Sequence, residues 1–353
     1  MNVRCAATLG LGLLLGGCAE PPPPEQGFAG LGRESAGFAA VVPGASLEFP
    51  ADHGAHPDFR IEWWYVTANL SDAQGREYGV QWTLFRHALR PGADHPGWEN
   101  GNLFLGHAGV TGEEVHRAAE RLARGGVGQA GVEADPLRAW IDDWTLGGDP
   151  ETGMQVHARG ADFAYTLRLE PQGPLVLQGE RGYSRKSAGG QASYYYSHPF
   201  LQATGTLELD GRRIEVRGPA WMDREWSSQP LAGDQQGWDW FSLRLDDGSR
   251  LMAFQLRHAG GARYLSGTWI TADGEASALD GHLIALEPVA HTRVAGRQVP
   301  TVWRLAVRGR LAGVEVRALN PRAWMDLGTP YWEGPVRVAG AAGGVGYLEM
   351  TGY

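Results

Sequence analysis

Residues Trp238–His258 read WDWFSLRLDDGSRLMAFQLRH. Apolar and polar residues alternate on both sides of Asp246-Asp247-Gly248-Ser249, the period of two that marks a strand with one buried face. The Asp-Asp-Gly centre is a turn signal, because glycine reaches the left-handed conformations that tight hairpins require. The stretch therefore predicts two antiparallel strands. Similar text recurs along the chain, in EWWYVTANL from Glu62, YGVQWTLFRH from Tyr78, AYTLRLEP from Ala164, ATGTLELDGRRIEVRG from Ala203 and TVWRLAVRGRLAG from Thr301. With 52 glycines and 21 prolines between such runs, the chain reads as all-β, built of hairpins. One stretch departs from this: TGEEVHRAAERLARGGVG has helical composition, a Thr111-x-x-Glu114 start and a Gly-Gly stop, and predicts one short helix.

The hairpin text also repeats in order. EWWYVTANL followed by QWTLFRH has its counterpart in WDWFSLRL followed by AFQLRH, and FLGHAGVT (Phe104–Thr111) lies over YLSGTWIT (Tyr264–Thr271) without a gap. LRLEP near Pro171 matches RALNP near Pro321, and YYYSHPFLQATG ending at Gly205 matches GYLEMTG ending at Gly352. Four ordered anchors predict two related β units in tandem, each large enough to close into its own barrel and remove its exposed edges. The expected division is 38–218 and 219–353, with the change of unit between RRIEVRG and GWDWF.

Ahead of these units stands MNVRCAATLGLGLLLGGCAE. It has one positive charge at Arg4, an apolar run from about Ala6 to Leu15, and Leu-Gly-Gly before Cys18. That is the layout of a secretory leader over 1–17, too short to span a bilayer as a mature helix. Cys18 stands where a bacterial lipoprotein is acylated, and the proline run that follows, within 18–37, would hold a domain off the membrane. The expectation is a bacterial periplasmic protein, anchored by lipid on Cys18. Cys5 leaves with the leader, so the mature fold would hold no disulfide. Removing Arg4 takes 31 basic residues to 30 against 40 acids, a net charge of −10. Such a balance, without basic patches interleaved with aromatics, excludes nucleic acid as a partner.

Chemistry-bearing residues concentrate in Gly218–Leu231, GPAWMDREWSSQPL. On a strand Trp221, Asp223 and Glu225 share one face, and Met222, Arg224 and Trp226 the other. Two carboxylates one residue apart, walled by tryptophan, would raise one another's pKa and leave a neutral acid at neutral pH. The competing reading pairs them with arginines such as Arg224 and makes the cluster a clamp between the units. Trp63 and Tyr65 share a face opposite Trp64, and Trp238 shares one with Trp240; these offer apolar surface and cation-attracting rings to a ligand, or close the barrel cores. In SYYYSHP, Tyr194 and Tyr196 can look into one cavity, with His198 close by. Glu62 and His107 are ionisable residues inside apolar strand text. Neither a Gly-x-Ser-x-Gly elbow, a His-Glu-x-x-His metal motif nor a nucleotide-binding glycine loop occurs, so no metal or cofactor is expected, and the HGAH pair at His53 and His56 is a weak metal signal. Every basic residue but Lys186 is arginine.

IEWWYVTANL, GHAGVT, AWIDDW, GERGYSRK, ASYYYS, WMDREWSSQPL, GWDWFSLRLDDG, YWEG and GYLEMTGY together resemble the AttH-like and carotenoid hydratase-like proteins, over nearly all of the mature chain. The resemblance implies two lipocalin-like β-barrels enclosing apolar pockets. It also implies an activity known in some members, addition of water across a terminal isoprenoid double bond. Many relatives are loosely described as secreted hydrolases, and some are encoded beside membrane export systems. In the hydratase branch the stretch matching Asp223–Trp226 is histidine-rich and ends in Asn-Trp. Here Trp226 is kept, but Arg224 stands where a proton-transferring histidine would, and arginine stays protonated. Three functions follow as expectations. The first is binding of an elongated apolar isoprenoid or lipid near the junction of the units. The second is its acid-catalysed hydration, with Asp223 or Glu225 delivering the proton, Trp226 and Trp238 steadying the cation and Arg224 keeping the other carboxylate ionised. The third is a non-catalytic accessory role to an ABC-type exporter.

Overall fold

The computed structural model describes residue 31 and residues 35–353. The leader, Cys18 and the proline run lie outside the described residues.

The strands of the first unit are β1 (Ile61–Ser71), β2 (Glu77–Ala88), β3 (Asn102–Gly112), β4 (His116–Arg124), β5 (Ala130–Ala134), β6 (Leu137–Ile141) and β7 (Trp144–Asp149). They continue with β8 (Gly153–Arg159), β9 (Phe163–Pro171), β10 (Val176–Leu177), β11 (Tyr183–Arg185), β12 (Ala192–Leu209) and β13 (Arg212–Ser227). All pairs are antiparallel, in the order β4-β3-β2-β1-β13-β12-β9-β8-β7-β6-β5, with β10 and β11 added to β12. The sheet curls until β4 lies beside β6, so the barrel is nearly closed.

The second unit holds β14 (Gln235–Leu245), β15 (Arg250–His258), β16 (Arg263–Ile270), β17 (Ala276–Asp280), β18 (Ile284–Val294), β19 (Arg297–Val307), β20 (Leu311–Ala318), β21 (Trp324–Met325), β22 (Tyr331–Gly340) and β23 (Gly344–Met350). Its order is β17-β16-β15-β14-β23-β22-β20-β19-β18, with β21 on β22, and β16 approaches β18. These are the two lipocalin-like barrels expected from the sequence.

The Asp-Asp-Gly turn read from sequence forms, and so does a second Asp-Gly hairpin turn within ATGTLELDGRRIEVRG. Asp210 and Gly211 each take positive φ, 49° and 76°, as a two-residue turn between twisted strands requires. Gly248 has φ 90° in the turn between β14 and β15. The internal repeat is visible in the topology: each barrel closes its first strand on its last, β1 on β13 and β14 on β23. Three of the four anchors occupy equivalent strands. The fourth does not, because YYYSHPFLQATG lies on β12 whereas GYLEMTG lies on β23, whose counterpart is β13.

The expected helix is a correction. Among the described residues there is no α-helix, and the helical-looking stretch is β4, paired with β3 from Leu103↔Arg124 to Thr111↔His116. A lone helix there would leave the β3 edge unpaired. As a strand, the stretch turns Ala119 and Ala123 toward the core, with Arg117 and Arg121 flanking them at the rim of the same face and Glu120 and Arg124 on the opposite one. The change of unit also needs adjustment: position 218/219 falls inside β13, which belongs wholly to the first sheet, and the chain crosses between sheets over 228–234.

Each barrel interior is filled by its own side chains. Trp64, Trp82, Trp144 and Leu167 are among those filling the first, and Phe241, Trp303, Trp332 and Leu348 among those filling the second. The expectation of an open barrel interior is therefore not met. The barrels meet along β1, β2, β22 and β23. Gly79 allows the approach, since a Cβ there would stand 2.5 Å from Pro335 Cγ. Asn69 donates across the seam to the Gly346 carbonyl at 2.8 Å, and Tyr65 to Glu333 at 2.6 Å.

Candidate functional site

Where the outer faces of the barrels meet, they leave a cavity of about 120 Å³. Alternation on three strands builds it. β1 turns Trp63 and Tyr65 outward while Trp64 enters the core; β13 turns Asp223 and Glu225 outward; β14 contributes Trp238 and Trp240 while Phe241 and Leu243 fill the second barrel. Phe85, Tyr195, Phe254 and Leu231 complete much of the apolar wall. The polar side chains in this lining are few: Thr83, Lys186, Asp223, Glu225 and Glu349, with the Tyr65 and Tyr195 hydroxyls.

Asp223 is 3% exposed. Its Oδ1 accepts from Ser197 Oγ at 2.5 Å and Trp221 Nε1 at 2.6 Å, and its Oδ2 from the Tyr195 hydroxyl at 2.9 Å. Burial dominates and pushes its carboxyl up to about 7; the three donors oppose this and the nearby Glu225 charge adds to it. Glu349, on β23 opposite Trp240, accepts from Trp238 Nε1 at 2.5 Å. Burial, and then the charges of Asp223 and Glu225, push it up to about 7 as well. Glu225 is held differently: it accepts from Ser193 and sits 2.7 Å from the Lys186 ammonium, which also lies 4.5 Å from the Phe254 ring centre and 5.0 Å from that of Tyr195. The Trp240 indole donates to the Tyr195 hydroxyl at 3.2 Å and packs edge-on against Tyr65. The cavity thus combines tryptophan and phenylalanine walls with two carboxyl groups poised to exchange a proton near neutrality.

The opposite face of the same strands carries a second cluster. Arg224 is fully buried and pairs with Glu62, which also binds Arg86 and the His56 backbone amide. Burial raises the Glu62 carboxyl, but Arg224 and Arg86 win and hold it well below the usual range. The Arg224 guanidinium lies 3.8 Å from the Trp64 ring centre. Trp226 stacks flat on His56 at 3.8 Å, and Tyr194 and Tyr196 reach Val42 and His53. This side clamps the segment 39–59 onto the barrel.

The sequence-predicted residues therefore separate. Asp223, Glu225, Trp63, Trp238 and Trp240 come together at the cavity. Arg224, Trp226, Glu62, Trp64, Tyr194 and Tyr196 stand behind the wall, where Trp226 cannot steady a cation in the cavity and Arg224 does not hold its carboxylate. Tyr194 and Tyr196 do share a face, but the tyrosine facing the cavity is Tyr195 between them. His198 donates to or accepts nothing in the cavity; its Nε2 lies 3.1 Å from the Pro150 carbonyl, and burial pushes the ring down to about 4. His107 lies beside the cavity wall, between Tyr331 and Glu120. Sequence reasoning missed Tyr195, Lys186, Glu349 and Glu333. The signals were present: a sole lysine, and single acids inside the apolar strand text of YWEG and GYLEM.

The AttH-like family model matches residues 40–353. A search of curated proteins finds no match. The crystal structure of an AttH protein from Nitrosomonas europaea is 36% identical, with TM-score 0.80, covering 90% of this chain and all of that one. Kievitone hydratase from Nectria haematococca is 13% identical, with TM-score 0.66 over 93% of this chain and 97% of that one, a likeness of fold. Both pairings extend through both barrels, and with the family match over nearly nine-tenths of its length this chain belongs to the AttH-like family.

Proposed function

We propose that this protein binds the apolar end of an elongated isoprenoid-like molecule between its barrels and hydrates a terminal double bond there. The observation that carries the reading is the pair of buried carboxyls, Asp223 and Glu349, facing one tryptophan-walled cavity with both pKa values pushed up to about 7. The volume, about 120 Å³, is slightly below the ~150 Å³ of an apolar cavity that takes benzene. It suits a branched end of about five carbons, whereas a whole drug-sized ligand fills ~300–1,000 Å³. The remainder of the molecule extends out of the cavity. The likeness to a hydratase in fold agrees with this chemistry.

In the step proposed, the O–H bond of neutral Asp223 breaks and a C–H bond forms at the less substituted alkene carbon. The cation left on the other carbon lies among the rings of Trp63, Trp238 and Trp240, whose faces are electron-rich. A water oxygen bonds to that carbon, and the surplus proton passes to the Glu349 carboxylate. One water has been added. Asp223 begins as the acid and Glu349 as the base, the division of labour that equal buried carboxyls allow when they share one proton.

The test uses prenyl alcohols of increasing length as probes. Binding should quench tryptophan fluorescence, and incubation in ¹⁸O-water should give a product heavier by one labelled water. Asp223→Asn should bind the probes and form no product. Quenching without product in the wild type would favour carriage, and no quenching with any probe would refute the reading. We also propose that the mature protein is a periplasmic lipoprotein anchored through Cys18, on the strength of the leader and Leu-Gly-Gly-Cys. Labelled palmitate should enter the wild-type chain and not Cys18→Ser.

A further inference from the structure

A row of polar side chains leads away from the cavity to the surface. Asp223 on β13 faces Tyr65 on β1 in register, Tyr65 faces Thr83 on β2, Thr83 faces His107 on β3, and His107 faces Glu120 on β4. The second barrel lays a matching row over it. His107 Nε2 lies 3.2 Å from Glu120 Oε2, and its Nδ1 lies 3.0 Å from the Tyr331 hydroxyl. Two residues on, along the same face of β22, Glu333 accepts from the Tyr65 hydroxyl at 2.6 Å, and Tyr65 lines the cavity. Directly across from Glu333 on β23 stands Glu349. The side chain of Glu120 is 30% exposed, whereas His107 is 3% and Glu333 1% exposed.

We propose that Glu120, His107, Tyr331, Glu333 and Tyr65 form a proton path between solvent and the cavity carboxyls. This rests on the acid–base reading of the cavity given above, and it answers a need of that reading. Each hydration leaves Asp223 ionised and Glu349 protonated, so one proton must leave Glu349 and one must reach Asp223 before the next turnover. The cavity wall is mostly apolar, and a bound molecule fills its mouth, so a route through the protein can serve while the site is occupied. Along the path every member can both take up and give up a proton at a hydrogen-bonding atom. A proton taken by Glu120 passes to His107 Nε2 and leaves from Nδ1 to the Tyr331 oxygen, as the phenol's own proton moves on to one oxygen of the Glu333 carboxyl; the other oxygen gives up the carboxyl's proton to the Tyr65 oxygen, and the Tyr65 hydroxyl turns to give its own to the cavity. No oxidant or co-reactant is needed, and the reverse passage releases the proton.

The path requires a hydrogen bond between Tyr331 and Glu333 that a rotation of either group would form. The two groups influence each other's protonation, while Glu333 Oε2 has no fixed hydrogen-bond partner among the described side chains. The ionisable groups that bear on Glu333 from the elements packed around it are Tyr65, Tyr331, Glu349, Tyr347 and Tyr165. Those that meet His107 are Glu120 and Tyr331. Burial, with the Glu349 charge, pushes the Glu333 carboxyl well above the usual carboxylate range and so favours the form that has a proton to exchange.

That proton provides the test without any substrate. The full chain is mixed rapidly into D₂O, and the infrared band of the neutral Glu333 carboxyl, assigned by its loss in Glu333→Gln, is followed as it shifts on deuteration. In the wild type the shift should be fast and insensitive to low urea, because no opening of the fold is required. In His107→Gln and Tyr331→Phe it should slow by at least about tenfold and become urea-dependent, since only local unfolding then admits solvent. Free imidazole should restore the rate in His107→Ala, which a purely structural histidine would not allow. Exchange as fast in Tyr331→Phe as in the wild type, or slow urea-dependent exchange in the wild type itself, would overturn the path and leave the hydration reading standing. Product formation by Asp223→Asn would overturn that reading and leave the exchange result untouched.

Discussion

Replacing Asp223 by asparagine should make the protein more stable at alkaline pH and slightly less stable in acid. The Asp223 carboxyl is pushed from its ordinary 3.8 up to about 7 in the folded state. A group whose folded pKa is raised contributes stability that is fully present below the unfolded value and is lost as pH rises through the folded one. Here the loss runs from about pH 4 to about pH 7 and is complete above that. About three units at 1.36 kcal/mol each gives a loss of about 4 kcal/mol. Asparagine has no charge to bury and escapes it. The carbonyl oxygen of asparagine still accepts from Ser197 and Trp221, but its amide meets a Tyr195 hydroxyl that already accepts from Trp240. Leaving that phenolic proton without Asp223 costs about 1 kcal/mol. The variant should therefore exceed the wild type by roughly 3 kcal/mol near pH 8 and fall below it by about 1 kcal/mol only well below pH 4, with the curves crossing at about pH 4.5. Urea unfolding at a series of pH values, with equal m-values confirming the same transition, measures this. Parallel stability curves for the two proteins would mean that Asp223 ionises as an ordinary carboxyl in the folded state, and it would then have no proton to offer at neutral pH.

Other substitutions test the separation of the two faces. Trp226→Phe, behind the wall, should leave probe affinity within about twofold, whereas Trp240→Ala, in the wall, should weaken it at least about tenfold in fluorescence titrations. Arg224→Met leaves Glu62 with one guanidinium where it had two, and should cost about 3–5 kcal/mol in urea unfolding, far more than an exposed arginine would. Gly79→Ala should cost about 1–3 kcal/mol, because its methyl group would stand 2.5 Å from Pro335 Cγ at the seam.

Local pattern was enough for much of the fold. Alternation over Trp238–His258 and its relatives fixed strands, faces and turns, since a period of two admits only one way to bury the apolar side. It placed Asp223 with Glu225 and Trp238 with Trp240 on common faces. It failed where composition and pairing disagreed: His116–Arg124 has the residues of a helix, but the open edge of β3 offers backbone partners that an isolated helix cannot match. The division into units was legible as an interval and not as a point, because β13 carries the charged cluster while still completing the first barrel.

The site was legible as residues and not as an arrangement. Sequence alone determined that Trp63 opposes Trp64 and that Tyr194 and Tyr196 share a face, because those relations lie within a single strand. Which of the two faces meets the other barrel is settled by packing between strands far apart in the chain. That packing placed Tyr195, and not its neighbours, toward the cavity, gave Arg224 to Glu62, set Lys186 against Glu225, and brought Glu333 to Tyr65 and Glu349 to the cavity from the far end of the chain. The raised carboxyls belong to tertiary structure for the same reason, since burial and neighbouring charge exist only once the barrels have closed on each other.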